Sequence, residues 1–280
     1  LGRLTSMGGL GRMTGVWVGG LLYDGMGIHF SGWGFYEGGL FFVASGAMWI
    51  STLPLLLLPE GGSKQQQQTA GAVSESGAVA ATTLFFTLFL VGMVFINFGR
   101  NTVAIILAQY LTLPGGIGVG SRELGYIFNT QSAAMILLGW TTGWMSRRIG
   151  DDISLMTSTL VGILALLVLA KTTWLPLIYV CSFLRGFADV IIMATSYTMA
   201  SVLIPPEKRG RLFALFNATF FLSWGLAGTF IAGPIVDVLI KKNIAETTAY
   251  QVSFVVAAGI TLMGLIIQGV LKWVRSSHRK

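Results

Sequence analysis

The chain has 280 residues, 54% of them hydrophobic and only 10% charged, and its mean hydropathy is +0.74. Soluble globular domains carry about 25% charged residues, so this composition excludes that class and predicts an all-α polytopic protein of the lipid bilayer. The formal charge of +7 is spread between apolar stretches instead of gathered on a basic, aromatic-studded face, which points to membrane topology and away from nucleic acid.

Taking about 20 apolar residues per crossing, eight spans are expected, over residues 4–23, 38–58, 84–110, 124–144, 153–170, 175–199, 212–240 and 252–273. In the first span Gly8, Gly11, Gly15 and Gly19 recur at three- or four-residue spacing, with Gly20 beside them. They line one helix face and predict a close helix contact, which could slide in function. Between the second and third spans lies the polar low-complexity run Gly61-Gly62-Ser63-Lys64-Gln65-Gln66-Gln67-Gln68, read as a flexible linker. This divides the chain into residues 1–58, a linker at 59–78 and a six-span bundle at 79–280.

The third span carries Asn97, Arg100 and Asn101 on one face, and the sixth carries Ser182, Arg185, Asp189 and Ser196 in the same way. Asn129 and Gln131 in the fourth span, with Asn217 and Trp224 in the seventh, are secondary polar candidates. Ionisable groups within spans are costly and generally face a cavity or a partner. Arg12, Arg100 and Arg185 each fall roughly 15 to 18 Å from the outer ends of their helices, and so share one depth near mid-membrane. Arg185 and Asp189, four apart, are expected to pair with each other; Arg100 has no acid on its own helix and is the better candidate for gripping a substrate.

The first and seventh spans echo each other. Gly15 and Gly228, Gly20 and Gly233, and Asp24 and Asp237 match at a constant offset of 213 residues. Two related bundles are implied, as in many transporters, and the first of them lacks four spans. The chain is therefore expected to be an N-terminally truncated fragment, or to have a misplaced start. With the linker inside, eleven loop Lys and Arg residues face inward against four outward, so the linker and C-terminus are expected to be cytoplasmic.

Enzymatic chemistry finds no foothold. His29 and His278 lie outside the spans, and the zinc-protease HExxH, the nucleophile-elbow GxSxG and the phosphate-binding GxxxxGK[ST] patterns are absent. No cofactor or metal is expected, and Cys181 alone cannot form an intrachain disulfide.

Taken together, these residues resemble the major facilitator superfamily of secondary transporters, over essentially the whole chain as helices 5 to 12 of twelve. The family's fifth-helix antiporter motif, Gly-x-x-x-Gly-Pro-x-x-Gly-Gly, is similar to Gly11, Gly15, Gly19 and Gly20, with Val16 at the proline position. Its loop motif, Gly-x-x-x-Asp-Arg-x-Gly-Arg-Lys, is similar to Gly143, Arg148 and Gly150. The other charges there are inverted: Arg147 stands for the acid, and Asp151 and Asp152 stand for the basic pair. Arg185-Gly186, followed by Pro205-Pro206-Glu207-Lys208-Arg209-Gly210-Arg211, resembles the tenth helix and the loop after it.

The resemblance implies alternating access, a central cavity faced by Asn97, Arg100, Asn101, Arg185, Asp189 and Arg12, and gating contacts at the glycine and loop motifs, Gly228 and Gly233 among them. A small solute driven by protons is the expected cargo. Three arginines against one acid favour an anionic or carboxylate-bearing one, with antiport of amphipathic drug-like compounds, or a non-transporting scaffold or inactive fragment, as alternatives. Oligomeric state is not written in the sequence.

Overall fold

The computed structural model describes residues 8–16, 18, 39–56, 76–205 and 208–277. The chain divides into two compact units, one made of Leu1–Met13 with Ala80–Lys280 and the other of Thr14–Val79. The long apolar runs become helices because a helix satisfies every backbone N–H and C=O within its own segment, as a lipid environment demands. They are α1 (residues 8–16), α2 (Gly39–Leu56), α3 (Ser76–Thr112), α4 (Ser121–Gly139), α5 (Thr142–Ile149), α6 (Asp151–Leu169), α7 (Leu175–Leu203), α8 (Arg209–Ala227), α9 (Gly233–Lys241) and α10 (Glu246–Ser277).

Five segments among the described residues are long and apolar enough to cross a membrane: Thr83–Thr112, Asp151–Leu169, Leu175–Leu203, Arg209–Lys241 and Glu246–Ser277. The smaller unit contributes a shorter apolar stretch, Phe42–Leu53, whose side chains are exposed, Met48, Trp49 and Ile50 among them. The expected span at 124–144 is interrupted. Its helix α4 stops at Gly139, and the chain turns at Trp140 and Thr141 before resuming as α5. There Thr141 and Thr142 turn their hydroxyls onto the carbonyls of Leu138 and Gly139, both at 2.7 Å, offering the backbone an alternative to the helical ladder.

The expected span at 212–240 is continuous but contains a π turn at Gly228–Ala232, in which the Gly233 amide reaches back to the Gly228 carbonyl. Pro234 supplies the reason, since it has no N–H and its ring would crowd the carbonyl four residues earlier. Between α5 and α6, Gly150 adopts φ +82°, a conformation glycine takes without strain.

In the larger unit two apolar clusters lie at opposite ends of the bundle. One gathers Tyr110, Leu111, Ile127, Leu169, Ile178 and Phe254; the other gathers Phe89, Met93, Leu155, Met199, Phe216 and Leu271. Between them runs a layer of buried polar side chains contributed at one level by five helices: Asn97, Thr159, Arg185, Thr219, Ser223 and Thr261. Residues before that level in α3 join the second cluster and residues after it join the first, while α7, running the other way, reverses the order.

Glycines set the spacing of this bundle. A Cβ on Gly99 would run into Thr261 Oγ1 and the Ala257 carbonyl, and one on Gly264 would lie 2.7 Å from the Gly92 carbonyl. Thus α3 and α10 cross with their backbones in near contact. Likewise a Cβ on Gly186 would meet the Gln131 carbonyl, which seats α7 against α4.

Candidate functional site

The polar layer is built around Asp189. Its Oδ1 accepts from Arg100 Nε at 2.8 Å and lies 2.7 Å from Nη2, while its Oδ2 accepts from Gln131 Nε2 at 2.8 Å. Three helices, α3, α4 and α7, are thereby tied through one carboxylate. Arg100 also points Nη1 toward Asn97 Oδ1, a long contact of 3.5 Å.

Asn97 in turn donates to Thr219 Oγ1 at 3.0 Å, and Asn101 donates to Ser223 Oγ at 2.7 Å. The two rungs are four residues apart on both helices, so α3 and α8 run parallel and in register. Each hydroxyl donates onward to its own helix, Thr219 to the Phe216 carbonyl and Ser223 to the Phe220 carbonyl, both at 2.8 Å. A continuous chain of hydrogen bonds therefore leads from α8 through α3 to α7 and α4.

The expected pairing of Arg185 with Asp189 is corrected by this arrangement. Side chains on a helix lean toward its N-terminus, so Arg185 reaches away from the residue four positions later, and a base placed before an acid is the weaker order for such pairs. Asp189 instead takes Arg100 from α3. Arg185 is 7% exposed, yet no hydrogen-bond or ion-pair partner is found for it among the described residues. It lines a cavity of about 20 Å³ together with Arg100, Thr159, Gly162, Asp189 and Thr261. Arg12, exposed on α1, points Nη1 to 3.8 Å from Met135 Sδ of α4. Asp189, Arg100 and Arg12 all lie within electrostatic reach of Arg185, the acid acting most strongly of the three.

Of the secondary candidates, Gln131 belongs to the Asp189 cluster, Asn217 accepts from the Tyr197 hydroxyl, and Trp224 is exposed. Asn129 has a buried Oδ1 with no hydrogen-bond partner among the described residues. Sequence reasoning missed Thr219 and Ser223, although their four-residue spacing copies that of Asn97 and Asn101. It also missed Gly92 and Gly99, seven apart and so on one face of α3.

The loop from Gly143 to Asp152 forms α5 and the first turn of α6. Arg148 lies over the Trp144 ring, 5.6 Å from its centre, and Ser146 donates to Asp151. Asp152 pairs with Arg275 of α10 at 3.1 Å. Both acids also sit at the N-terminal end of α6, where the helix dipole favours negative charge. Inverting the charges of this loop thus produces a clamp between α6 and the last turn of α10.

Of the glycine positions, Gly228 makes a close contact: a Cβ there would lie 2.8 Å from Ile105 Cδ1 of α3. A Cβ on Gly8, Gly11 or Gly15 would meet no described atom within 4 Å, whereas one on Gly9 would lie 3.0 Å from Ile136 Cγ1. The face of α1 turned to α4 is therefore that of Gly9, and the seam expected from Gly8, Gly11 and Gly15 is not formed among the described residues. Gly19 and Gly20, with Asp24 and the linker's polar run, lie outside the described residues. Gly233 sits at the close of the π turn.

The family model described as Major Facilitator Superfamily matches residues 1–228 and again residues 84–280. No curated protein matches the chain.

Proposed function

The chain belongs to the major facilitator superfamily, and we propose that it moves a small anionic solute by alternating access, coupled to protons at Asp189. Membership of the family makes it a multi-pass membrane protein of the secondary-transporter class for small solutes. The anionic reading rests on charge: among the described residues Arg12, Arg100 and Arg185 stand against the single acid Asp189 in one neighbourhood, an excess of two positive charges.

Asp189 gives the coupling a physical form. A proton on its carboxylate would cancel the charge that holds Arg100, and the freed guanidinium offers a planar fork suited to a carboxylate or another oxyanion. Asn97 and Asn101 hold the same face of α3 against α8 and would orient the fork. On this reading residues 1–58 belong to the first bundle, residues 79–280 form the second, and the linker at 59–78 and the C-terminus are cytoplasmic. The Asp152–Arg275 clamp then lies on the inner side.

The test is uptake into proteoliposomes with a proton gradient imposed, using a panel of labelled monocarboxylates, inorganic oxyanions and amphipathic cations. Gradient-driven accumulation of an anion, reduced about tenfold or more in Arg100→Lys as well as Arg100→Ala, supports the reading. Asp189→Asn should keep solute exchange but lose its response to the gradient. Preference for amphipathic cations, or uptake by Arg100→Ala equal to the parent, overturns it.

A further inference from the structure

We propose that a single chloride-sized anion resides beside Arg185, as a counter-ion distinct from the transported solute. Arg185 is more than nine-tenths buried, makes no hydrogen bond or ion pair among the described residues and feels Asp189 only at longer range, and it lines the cavity between α3, α6, α7 and α10. Both oxygens of the only acid in that wall are already engaged, Oδ1 by Arg100 and Oδ2 by Gln131. Arg100 and Arg185 against Asp189 leave one positive charge uncompensated inside a helical bundle. Such a charge is expensive in a membrane interior, and a mobile anion of opposite sign removes the cost.

Size decides which anion. The cavity is small, about 20 Å³, and passes the roughly 10–15 Å³ needed to hold a small occupant. While Arg100 stays on Asp189, that suits a small monatomic anion better than a bulkier tetrahedral oxyanion. The hydroxyls of Thr159 and Thr261 donate to the carbonyls of Leu155 and Ala257, at 2.7 and 2.8 Å, so the guanidinium is the site's principal donor. One resident anion neutralises Arg185 and still leaves one of the two excess charges for the solute, so the site stands whether or not the transport reading holds.

The experiment is thermal unfolding of the purified protein in detergent, with no solute and no proton gradient, as chloride replaces gluconate at constant sodium. A hundredfold rise in chloride should raise the Tm by roughly 5 °C, because a ligand that binds only the folded state stabilises it by mass action. Bromide should substitute for chloride, and sulfate should not. Arg185→Gln should abolish the rise. Gly162→Val, which fills the cavity and leaves Arg185 in place, should weaken it at least tenfold in apparent affinity, and serves where Arg185→Gln yields no folded protein. A Tm that ignores the chloride-for-gluconate exchange, an equal response to sulfate, or a full response in either variant overturns the proposal. Failure of the uptake assay leaves the chloride response untouched.

Discussion

Arg100 and Asp189 meet at 2.7 Å across the contact between α3 and α7, each with about a fifth or less of its side chain exposed. Neither is paired with a charged group on its own helix. Removing one member of a buried ion pair is more damaging than removing both, because the survivor is left as a lone charge. Asp189→Asn should therefore destabilise the bundle by about 3 kcal/mol, and the Arg100→Gln, Asp189→Asn double variant by clearly less than the sum of the single losses. A double-mutant cycle on thermal unfolding in detergent measures this, and additive losses would mean that the pair is not energetically coupled.

The two rungs between α3 and α8 make an asymmetric prediction. Asn97 is 1% exposed and its amide donates to Thr219, whose own hydroxyl proton is already satisfied by the Phe216 carbonyl. Thr219→Val strands a buried amide donor and should cost about 1–3 kcal/mol. Asn97→Leu removes donor and acceptor together and should cost under about 1 kcal/mol, in line with interhelical hydrogen bonds measured in membranes. Unfolding by denaturant in micelles checks the order; the reverse order would show that the amide finds another partner.

Close backbone approach predicts where side chains are forbidden. Gly99→Ala places a Cβ against Thr261 and the Ala257 carbonyl, and Gly264→Ala places one against the Gly92 carbonyl, where backbone cannot step aside. Each should lose about 1–3 kcal/mol or fail to fold. Gly11→Ala meets no described atom and replaces a poor helix former with a good one, so it should be neutral or slightly stabilising. Gly228→Ala falls between, since it presses on the flexible tip of Ile105. Folded yield by fluorescence-detected gel filtration ranks the four.

The orientation prediction rests on the basic residues alone. A reporter fused after Lys280 should read as cytoplasmic, and so should one inserted after Gln68. An external signal from both would reverse the bundle and place the Asp152–Arg275 clamp on the outer face, and one from either alone would mean that the span count is wrong.

The helical fold was legible because membrane helices announce themselves by composition, and the positions of the third, fifth, sixth and eighth spans follow from apolar run length, although the eighth helix runs on to Glu246 and Ser277 at its polar ends. The break at Trp140 was not, because it is a tightening of the backbone, with the Thr141 amide on the Leu138 carbonyl at 3.0 Å, which hydropathy does not register. At the site, the polar stripes on α3 and α7 were visible from their spacing. Their partners were not. Spacing along one helix suggested Arg185 for Asp189, whereas the partner came from α3, 89 positions earlier, set by a helix crossing that glycines permit.

The carbonyl of Gln131 nests where Gly186 has no side chain, and the Gln131 amide binds Asp189 on the same helix, 58 positions later. Helix α4, with Arg122, Glu123, Asn129 and Gln131 in its length, is not among the segments apolar enough to cross by composition alone. During synthesis it therefore leaves the ribosome before the helix that compensates its polarity exists. If its insertion waits for α7, a chain halted before Asp189 should hold α4 at the bilayer surface or return it to the aqueous side.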